Sequence, residues 1–234
     1  MNQREVLEGL EEIVAAFRVA VFTDDKTPLR SAFALREEAD TIDQSKSNFD
    51  VVIFGDLNQF KRLNDQHGHE AGDLAIREAG KKLHQVAVNL DGRAFRQSGD
   101  EFAMLLQQSQ LAAFALNAAS FAEISFEHDN KSLKTAMSFG YAVNDGKLSF
   151  RDLLRRAEMA CQYAKYEGDG VCVGWTGEIQ RNPLVTRRAR CRRCRAKINC
   201  TVPQQSAHAK LSSCPCCGES LKEIRKSKRR TSQK

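Results

Sequence analysis

Two strand-like segments meet at an acidic tip between residues 92 and 106, and this hairpin limits the possible folds more than any other feature. Residues 92 to 97 read as one strand and Phe102-Ala103-Met104-Leu105-Leu106 as a second. Ser98, Gly99, Asp100 and Glu101 lie between them, small residues and adjacent carboxylates in the composition of a tight turn. An ordinary solvated turn is the simplest account. Yet two neighbouring negative charges repel unless a cation or a proton offsets them. A third carboxylate, Asp56, follows the buried-type strand Phe49-Asp50-Val51-Val52-Ile53-Phe54. An acid at a strand end facing an acidic hairpin can hold Mg²⁺ against phosphates, which makes the stretch a catalytic candidate.

The remaining pattern places this hairpin inside a layered domain. Residues 2 to 20 form an amphipathic helix, with Val6, Leu7, Leu10, Ile13, Val14 and Phe17 at helical spacing. The simplest expectation is that it packs on its own domain; the alternative is a dimer seam, although about five turns is short for an independent coiled coil. A short helix is expected over 59 to 65, then a loop with Gly68. A longer helix over 70 to 88 carries Ala71, Leu74, Ala75, Leu83 and Val86 on one face. Further helices are expected over 109 to 122 and after Ser149, whose partner in a capping box is Asp152. The second of these buries Phe150, Leu153, Leu154, Ala157, Ala160, Cys161 and Ala164. Strands are expected over 135 to 143, closed by Asn144-Asp145-Gly146, and over 170 to 175. Strands alternating with helices, with one hairpin in the middle, predict an α/β (α+β, palm-like) fold: a mixed, largely antiparallel central sheet flanked by helices.

Charge divides the chain. From Gly177 onward there are sixteen basic and three acidic residues, a net +13, against −7 for the rest. Six of the eight cysteines fall between Cys191 and Cys217. No signal peptide opens the chain and no apolar run is long enough to span a bilayer, so a cytoplasmic protein without a membrane partner is expected. In that compartment clustered cysteines read as metal ligands before disulfides. Cys191 and Cys194, then Cys214 and Cys217, form two C-x₂-C pairs 19 residues apart, four thiolates suited to structural Zn²⁺. Cys200 and Cys216 are surplus, and the choice among Cys214, Cys216 and Cys217 stays open. The +13 segment suits a nucleic acid or an acidic protein partner, although no aromatic residues interleave the basic ones to stack bases. The expected organisation is an N-terminal helix (1–20), a main domain (21–176), a basic linker (177–188), a zinc ribbon (189–222) and a disordered basic tail (223–234).

Ordered motifs across residues 20 to 175 resemble those of GGDEF domains. Asp56-Leu57-Asn58-Gln59-Phe60-Lys61-Arg62-Leu63-Asn64-Asp65, followed by Gly68-His69 and Gly72-Asp73, is similar to that family's D-x-D-x-F-K-x-x-N-D-x-x-G-H-x-x-G-D run. Ser98 to Phe102 stands at the name motif, with Ser for the first Gly. Phe139-Gly140-Tyr141-Ala142 resembles a family strand, and Ala157 to Lys165 a family helix. The resemblance implies a nucleotidyl-cyclase-like fold and a diguanylate cyclase, which joins two GTP molecules into cyclic di-GMP across a homodimer, with Mg²⁺ or Mn²⁺. It assigns Asp56, the Leu57 carbonyl and Asp100 to the metal, and Glu101 to a second metal contact or to proton removal. Asn64 and Asp73 would read the guanine. The backbone N–H groups of Gln59 and Phe60, with Lys61 and Lys165, would hold phosphates. Ordinary structural roles compete: helix-end capping for Asn64, first-turn stabilisation for Asp73 and solvated charge for the lysines.

Besides Ser98, four departures from the family pattern matter. Asn58 replaces the second Asp of D-x-D. Thr27-Pro28-Leu29-Arg30 keeps only a fragment of the D-x-L-T-G-L-x-N-R loop. Asp169 stands where the family offers a phosphate-binding Arg, and Asn89-Leu90-Asp91-Gly92 does not match the R-x-x-D of the inhibitory product site. No sensor domain is recognised ahead of the helix, so control is expected to come from elsewhere. Two other functions therefore compete with an active cyclase. One is a catalytically weak GTP-binding or scaffold module; the other is a zinc-ribbon module acting through its basic tail.

Overall fold

The computed structural model describes residues 3–44, 46–190, 194 and 197–205. Strand β1 (Val51–Leu57) lies at the centre of its main sheet, buried along nearly its whole length. Alternate side chains of β1 serve two cores. Val51, Ile53 and Leu57 join one apolar cluster, Val52 and Phe54 the other. A strand covered on both faces must be apolar at every position, which is why this segment lacks the polar alternation of a half-exposed strand. Strands β2 (Arg93–Ser98) and β3 (Glu101–Leu106) form the hairpin, and the sheet order is β2-β3-β1-β5-β4. β5 (Lys131–Val143) pairs antiparallel with β1 along one edge. Its other edge takes β4 (Glu123–His128) antiparallel and the short β6 (Cys172–Gly174) in parallel.

Helices α3 (Phe60–Asn89) and α4 (Gln108–Ala122) cover the face containing Ile53, Met104 and Phe139. Helices α2 (Ala32–Asp43) and α5 (Phe150–Glu167) cover the other. α5 can approach β5 closely because Gly140 has no side chain: a Cβ there would sit 2.0 Å from the Cys161 nitrogen and 2.1 Å from the Ala157 oxygen. The expected break in α3 is present, with Gly68 at φ 85° dividing the helix in two. The Ser149 hydroxyl accepts from the Asp152 N–H at 3.2 Å and caps α5. Sequence reasoning did not find β4, which continues directly from α4 and turns into β5 through Asp129 and Asn130, both at positive φ.

Helix α1 (Gln3–Phe22) corrects one expectation. Its apolar stripe does not pack on the domain: Leu7, Leu10, Ile13, Val14 and Phe17 are each at least 50% exposed. Among the described residues, the contacts that anchor it are at its C-terminal end. The Phe22 ring meets Phe33 edge-on at 5.2 Å, and Ser31 bonds back to the Val21 and Phe22 carbonyls. A helical stripe shows that one face seeks burial, not what covers it.

The chain divides into two units, Met1–Trp175 and Thr176–Lys234. In the second, the segment expected as a linker is structured: α6 (Gly177–Arg181) precedes the antiparallel pair β7 (Leu184–Arg190) and β8 (Lys197–Pro203). Val185 opposes Val202, which is fully buried, so the apolar positions hidden among the arginines specify a strand. Cys194 is exposed in the connection between β7 and β8. The other expected zinc ligands, Cys191, Cys214 and Cys217, and the 223–234 tail lie outside the described residues. No helix among the described residues is long and apolar enough to cross a membrane.

Candidate active site

The β2–β3 tip brings its carboxylates against the end of β1. A register shift between Arg96 and Ser98 and a left-handed Gly99 (φ 48°) turn the hairpin over. In the β1–β3 ladder Asp56 stands opposite Glu101, and the Leu57 N–H donates to the Asp100 carbonyl at 3.2 Å. Asp56, Leu57, Asp100 and Glu101 therefore converge at one end of the sheet. Burial pushes the Asp56 carboxyl up to about 6; an ion pair with Lys165 opposes this, and the charges of Asp100 and Glu101 add to it. Burial also raises Asp100. Clustered carboxylates that resist ionisation are poorly compensated by the protein alone, the condition a bound divalent cation relieves. Among the described residues no three His, Cys, Asp or Glu side chains form a ready-made metal cage. The donor set instead fits Mg²⁺, an ion usually held by one or two carboxylates and completed by substrate phosphates and water. Ser98 donates to Glu101 Oε2 at 2.8 Å, so this departure from the motif orients one of the acids.

Arg96, three residues before Gly99 of the hairpin tip, was not among the expected site residues. It donates twice to the Gly99 carbonyl, at 3.0 and 2.9 Å, and pairs with Asp24 at 3.2 Å. The residue 23–30 loop is thereby tied to the tip. Its backbone runs beside β2, with the Arg30 N–H donating to Ala94 O and the Arg96 N–H to Arg30 O.

Asn64 and Asp73, both on α3, lie on opposite sides of the Gly68 break. The Asn64 side chain occupies the space beside Gly72, where a Cβ would fall 1.9 Å from its Oδ1. That oxygen is buried and has no hydrogen-bond partner among the described residues. Asp73, the next residue, accepts from Lys26 Nζ at 2.7 Å. Lys26 was also absent from the sequence expectations. Its 47-residue separation from Asp73 leaves no local signal in the chain.

The expected phosphate-contacting groups divide. Gln59 adopts a left-handed conformation (φ 54°) just before α3, which starts at Phe60, so both backbone N–H groups lie at a helix N-terminus. Lys61 is exposed. Lys165, in the last turn of α5, is engaged with Asp56. The Asn58 amide donates to Asp169 Oδ1 at 2.8 Å and accepts from the Ser138 hydroxyl at 3.0 Å. Two departures from the family pattern are thus in direct contact.

The chain matches the diguanylate cyclase, GGDEF domain family model over residues 21–170. It belongs to the GGDEF family. Among curated relatives, an uncharacterized signaling protein of Caulobacter vibrioides is 34% identical over 128 residues, which is 52% of this chain and 16% of the relative. Diguanylate cyclase A of Treponema denticola is 30% identical over 122 residues, 50% of this chain and 33% of that protein. The chain thus spans a third or less of the length of these relatives. Among solved structures, the coiled coil and GGDEF domain of DgcB from Caulobacter crescentus, in complex with c-di-GMP, aligns with a TM-score of 0.66. The alignment has 23% identity and covers 73% of this chain and 94% of that one, a likeness of fold. The diguanylate cyclase SiaD of Pseudomonas aeruginosa, in complex with its activator SiaC, aligns with a TM-score of 0.62 and 22% identity, over 73% of this chain and 68% of that one.

Proposed function

We propose that this chain is a Mg²⁺-dependent diguanylate cyclase that condenses two GTP molecules into cyclic di-GMP and releases pyrophosphate. One observation supports it above the rest: Asp56 and Asp100 meet at the β1–hairpin junction beside Glu101, with both aspartates raised in pKa by burial. A divalent ion held there by Asp56, Asp100 and the Leu57 carbonyl would offset the triphosphate charge and lower the pKa of the attacking 3′-hydroxyl. Glu101, oriented by Ser98, serves as a second metal contact or takes up the hydroxyl proton. Asn64 and Asp73 offer acceptors to the N–H edge of guanine, and the α3 N-terminus at Gln59 and Phe60 faces phosphate oxygens. Lys61 supplies further positive charge. Lys165 pairs with Asp56, and would be available to phosphate oxygens were a divalent ion to take over that charge. Each active site needs two GTP-loaded domains face to face, and the exposed stripe of α1 is a surface on which two copies can pair.

Incubating the folded protein with GTP and Mg²⁺ or Mn²⁺ tests this reading. Cyclic di-GMP and pyrophosphate should accumulate, and Asp100→Ala or Glu101→Ala should remove both products. Wild type that makes no cyclic di-GMP across a wide range of protein concentrations would overturn it in favour of a GTP-binding scaffold. That second reading draws on Asp169, a carboxylate near Asn58 that disfavours a triphosphate tail.

For the C-terminal region we propose that Cys191, Cys194, Cys214 and Cys217 hold one structural Zn²⁺, and that the basic segment contacts a nucleic acid or an acidic protein. Zinc content near one ion per chain, lost in Cys191→Ser, would support the first. Salt-sensitive DNA or RNA binding that disappears on truncation after Thr176 would support the second. GTP as substrate is consistent with action in the cytoplasm.

A further inference from the structure

Lys26 is held over Asp73 by a small, closed framework. Asp24 Oδ1 accepts from the Lys26 N–H at 3.2 Å, the Thr27 N–H at 2.9 Å and the Thr27 hydroxyl at 2.8 Å. An Asp that bonds the backbone two and three residues ahead fixes a turn. Arg96 locks Asp24 from the other side while holding Gly99 of the hairpin. Thr27 is buried and seated on α3 at Gly80, where a Cβ would fall 2.6 Å from the Thr27 Cβ. Gly80 follows Asp73 by seven residues, about two helical turns, so the two share a face of α3. A turn anchored at Gly80 therefore places the Lys26 ammonium within 2.7 Å of Asp73 Oδ1.

The chemistry follows from which oxygen is occupied. Lys26 takes Oδ1; Oδ2 has no hydrogen-bond partner among the described residues. The buried, unpartnered Asn64 Oδ1 lies beside the adjoining Gly72. Two acceptors at neighbouring positions of α3, one of them a carboxylate whose pKa Lys26 lowers, suit a partner with adjacent N–H donors. Guanine presents N1–H and the 2-amino group; hypoxanthine keeps only the first, and adenine presents an acceptor in place of N1–H. Without its ammonium partner, Asp73 keeps only the longer-range attraction of Arg77 and Arg96, which fixes no hydrogen bond, and the orientation of Oδ2 is lost.

We propose that Lys26 is a specificity-determining residue of the nucleotide site, positioning Asp73 so that one oxygen stays aimed at the N–H edge of a guanine base. This rests on the assignment of Asp73 as a base reader. The ion pair is half exposed and adds little to folding, so its effect belongs in nucleotide binding and not in stability.

Equilibrium binding of the α,β-methylene analogues of GTP and ITP to the full chain, with Mg²⁺, tests it. Lys26→Ala should weaken the guanine analogue by about five-fold and reduce the guanine-over-hypoxanthine preference by a similar factor, the scale of one oriented polar contact. Lys26→Arg should retain most of the preference, and the unfolding midpoint should not move. Asp73→Asn separates the two layers of the argument. If it leaves the preference intact, Asp73 is no base reader and the proposal falls with that assignment. If it removes the preference while Lys26→Ala leaves it unchanged or tightens binding, Asp73 reads the base without Lys26, and the proposal alone is overturned.

Discussion

Asn58→Asp would restore the carboxylate that the family pattern carries, and the structure predicts that the restoration is harmful here. Asn58 is 8% exposed and both polar ends of its side chain are bonded: Nδ2 donates to Asp169, and Oδ1 accepts from the buried Ser138 hydroxyl. Its backbone is tied down as well, to Ala136 O at 2.7 Å and to the Thr135 hydroxyl at 3.2 Å, so it cannot back away. The substitution replaces a charge-assisted hydrogen bond, worth about 1.5–3 kcal/mol, with two facing carboxylates. At about 4 Å and an effective dielectric constant near 20, their repulsion has a ceiling of about 4 kcal/mol. Asp169 is exposed and can turn into water, which relieves most of that repulsion, so the net loss should be about 2 kcal/mol. Urea unfolding at pH 8 should show a lower midpoint with an unchanged slope. Toward pH 5 the deficit should shrink, because protonating one carboxyl of the pair regenerates a donor: a group whose folded pKa is raised is stabilised by falling pH. Asn58→Asp combined with Asp169→Asn should return stability to within about 0.5 kcal/mol of wild type. A single variant as stable as wild type at pH 8, or a double variant no better than the single, would refute the argument.

Three other outcomes are expected. Gly140→Ala should cost at least about 3 kcal/mol in chemical unfolding, because its Cβ would meet backbone atoms of α5 that cannot rotate aside. Ile13→Glu with Phe17→Glu should change the unfolding free energy of the main unit by less than about 0.5 kcal/mol, since both side chains are exposed; sedimentation should show weaker self-association if α1 pairs two copies. Mg²⁺ at about ten times its dissociation constant should stabilise wild type by about 1.4 kcal/mol, and chelation should remove that gain. Asp56→Asn should abolish the Mg²⁺ effect, and an equal thermal shift in that variant would place the ion elsewhere.

Local chemistry made part of this molecule legible in its sequence. The Ser149 cap, the Gly68 break and the acidic hairpin each depend on residues within a few positions of one another, where side-chain type dictates backbone geometry. β4 was missed although Ile124 and Phe126 alternate and Asp129-Asn130 is a turn pair. No glycine or proline separates it from α4, whose C-cap is Glu123, so the change of period carries no punctuation. The arginine run misled in the opposite direction, because charge hid the strand-forming Val185. The α1 stripe was visible, but its exposure was not, since periodicity names a face and leaves its partner unstated.

The site shows a similar division. Asp56, Asp100 and Glu101 could be named because strand and hairpin geometry carries them together, whereas the contacts that orient the site join distant segments. Lys26 meets Asp73, Asp24 meets Arg96, and Asn58 meets Asp169 across 47, 72 and 111 positions. Each of these pairs includes a residue from the 23–30 loop or a departure from the family motif. Taken one at a time, the departures look like erosion of the site. In contact, Asn58 supplies the donor that Asp169 requires, and the 23–30 loop brings Lys26 to the Asp73 carboxylate. A substitution that weakens a motif in the sequence can be half of a pair whose other half lies elsewhere in the chain. Double-variant unfolding at Asn58 and Asp169 is therefore a sharper measure of this site's integrity than the match of either residue to its family.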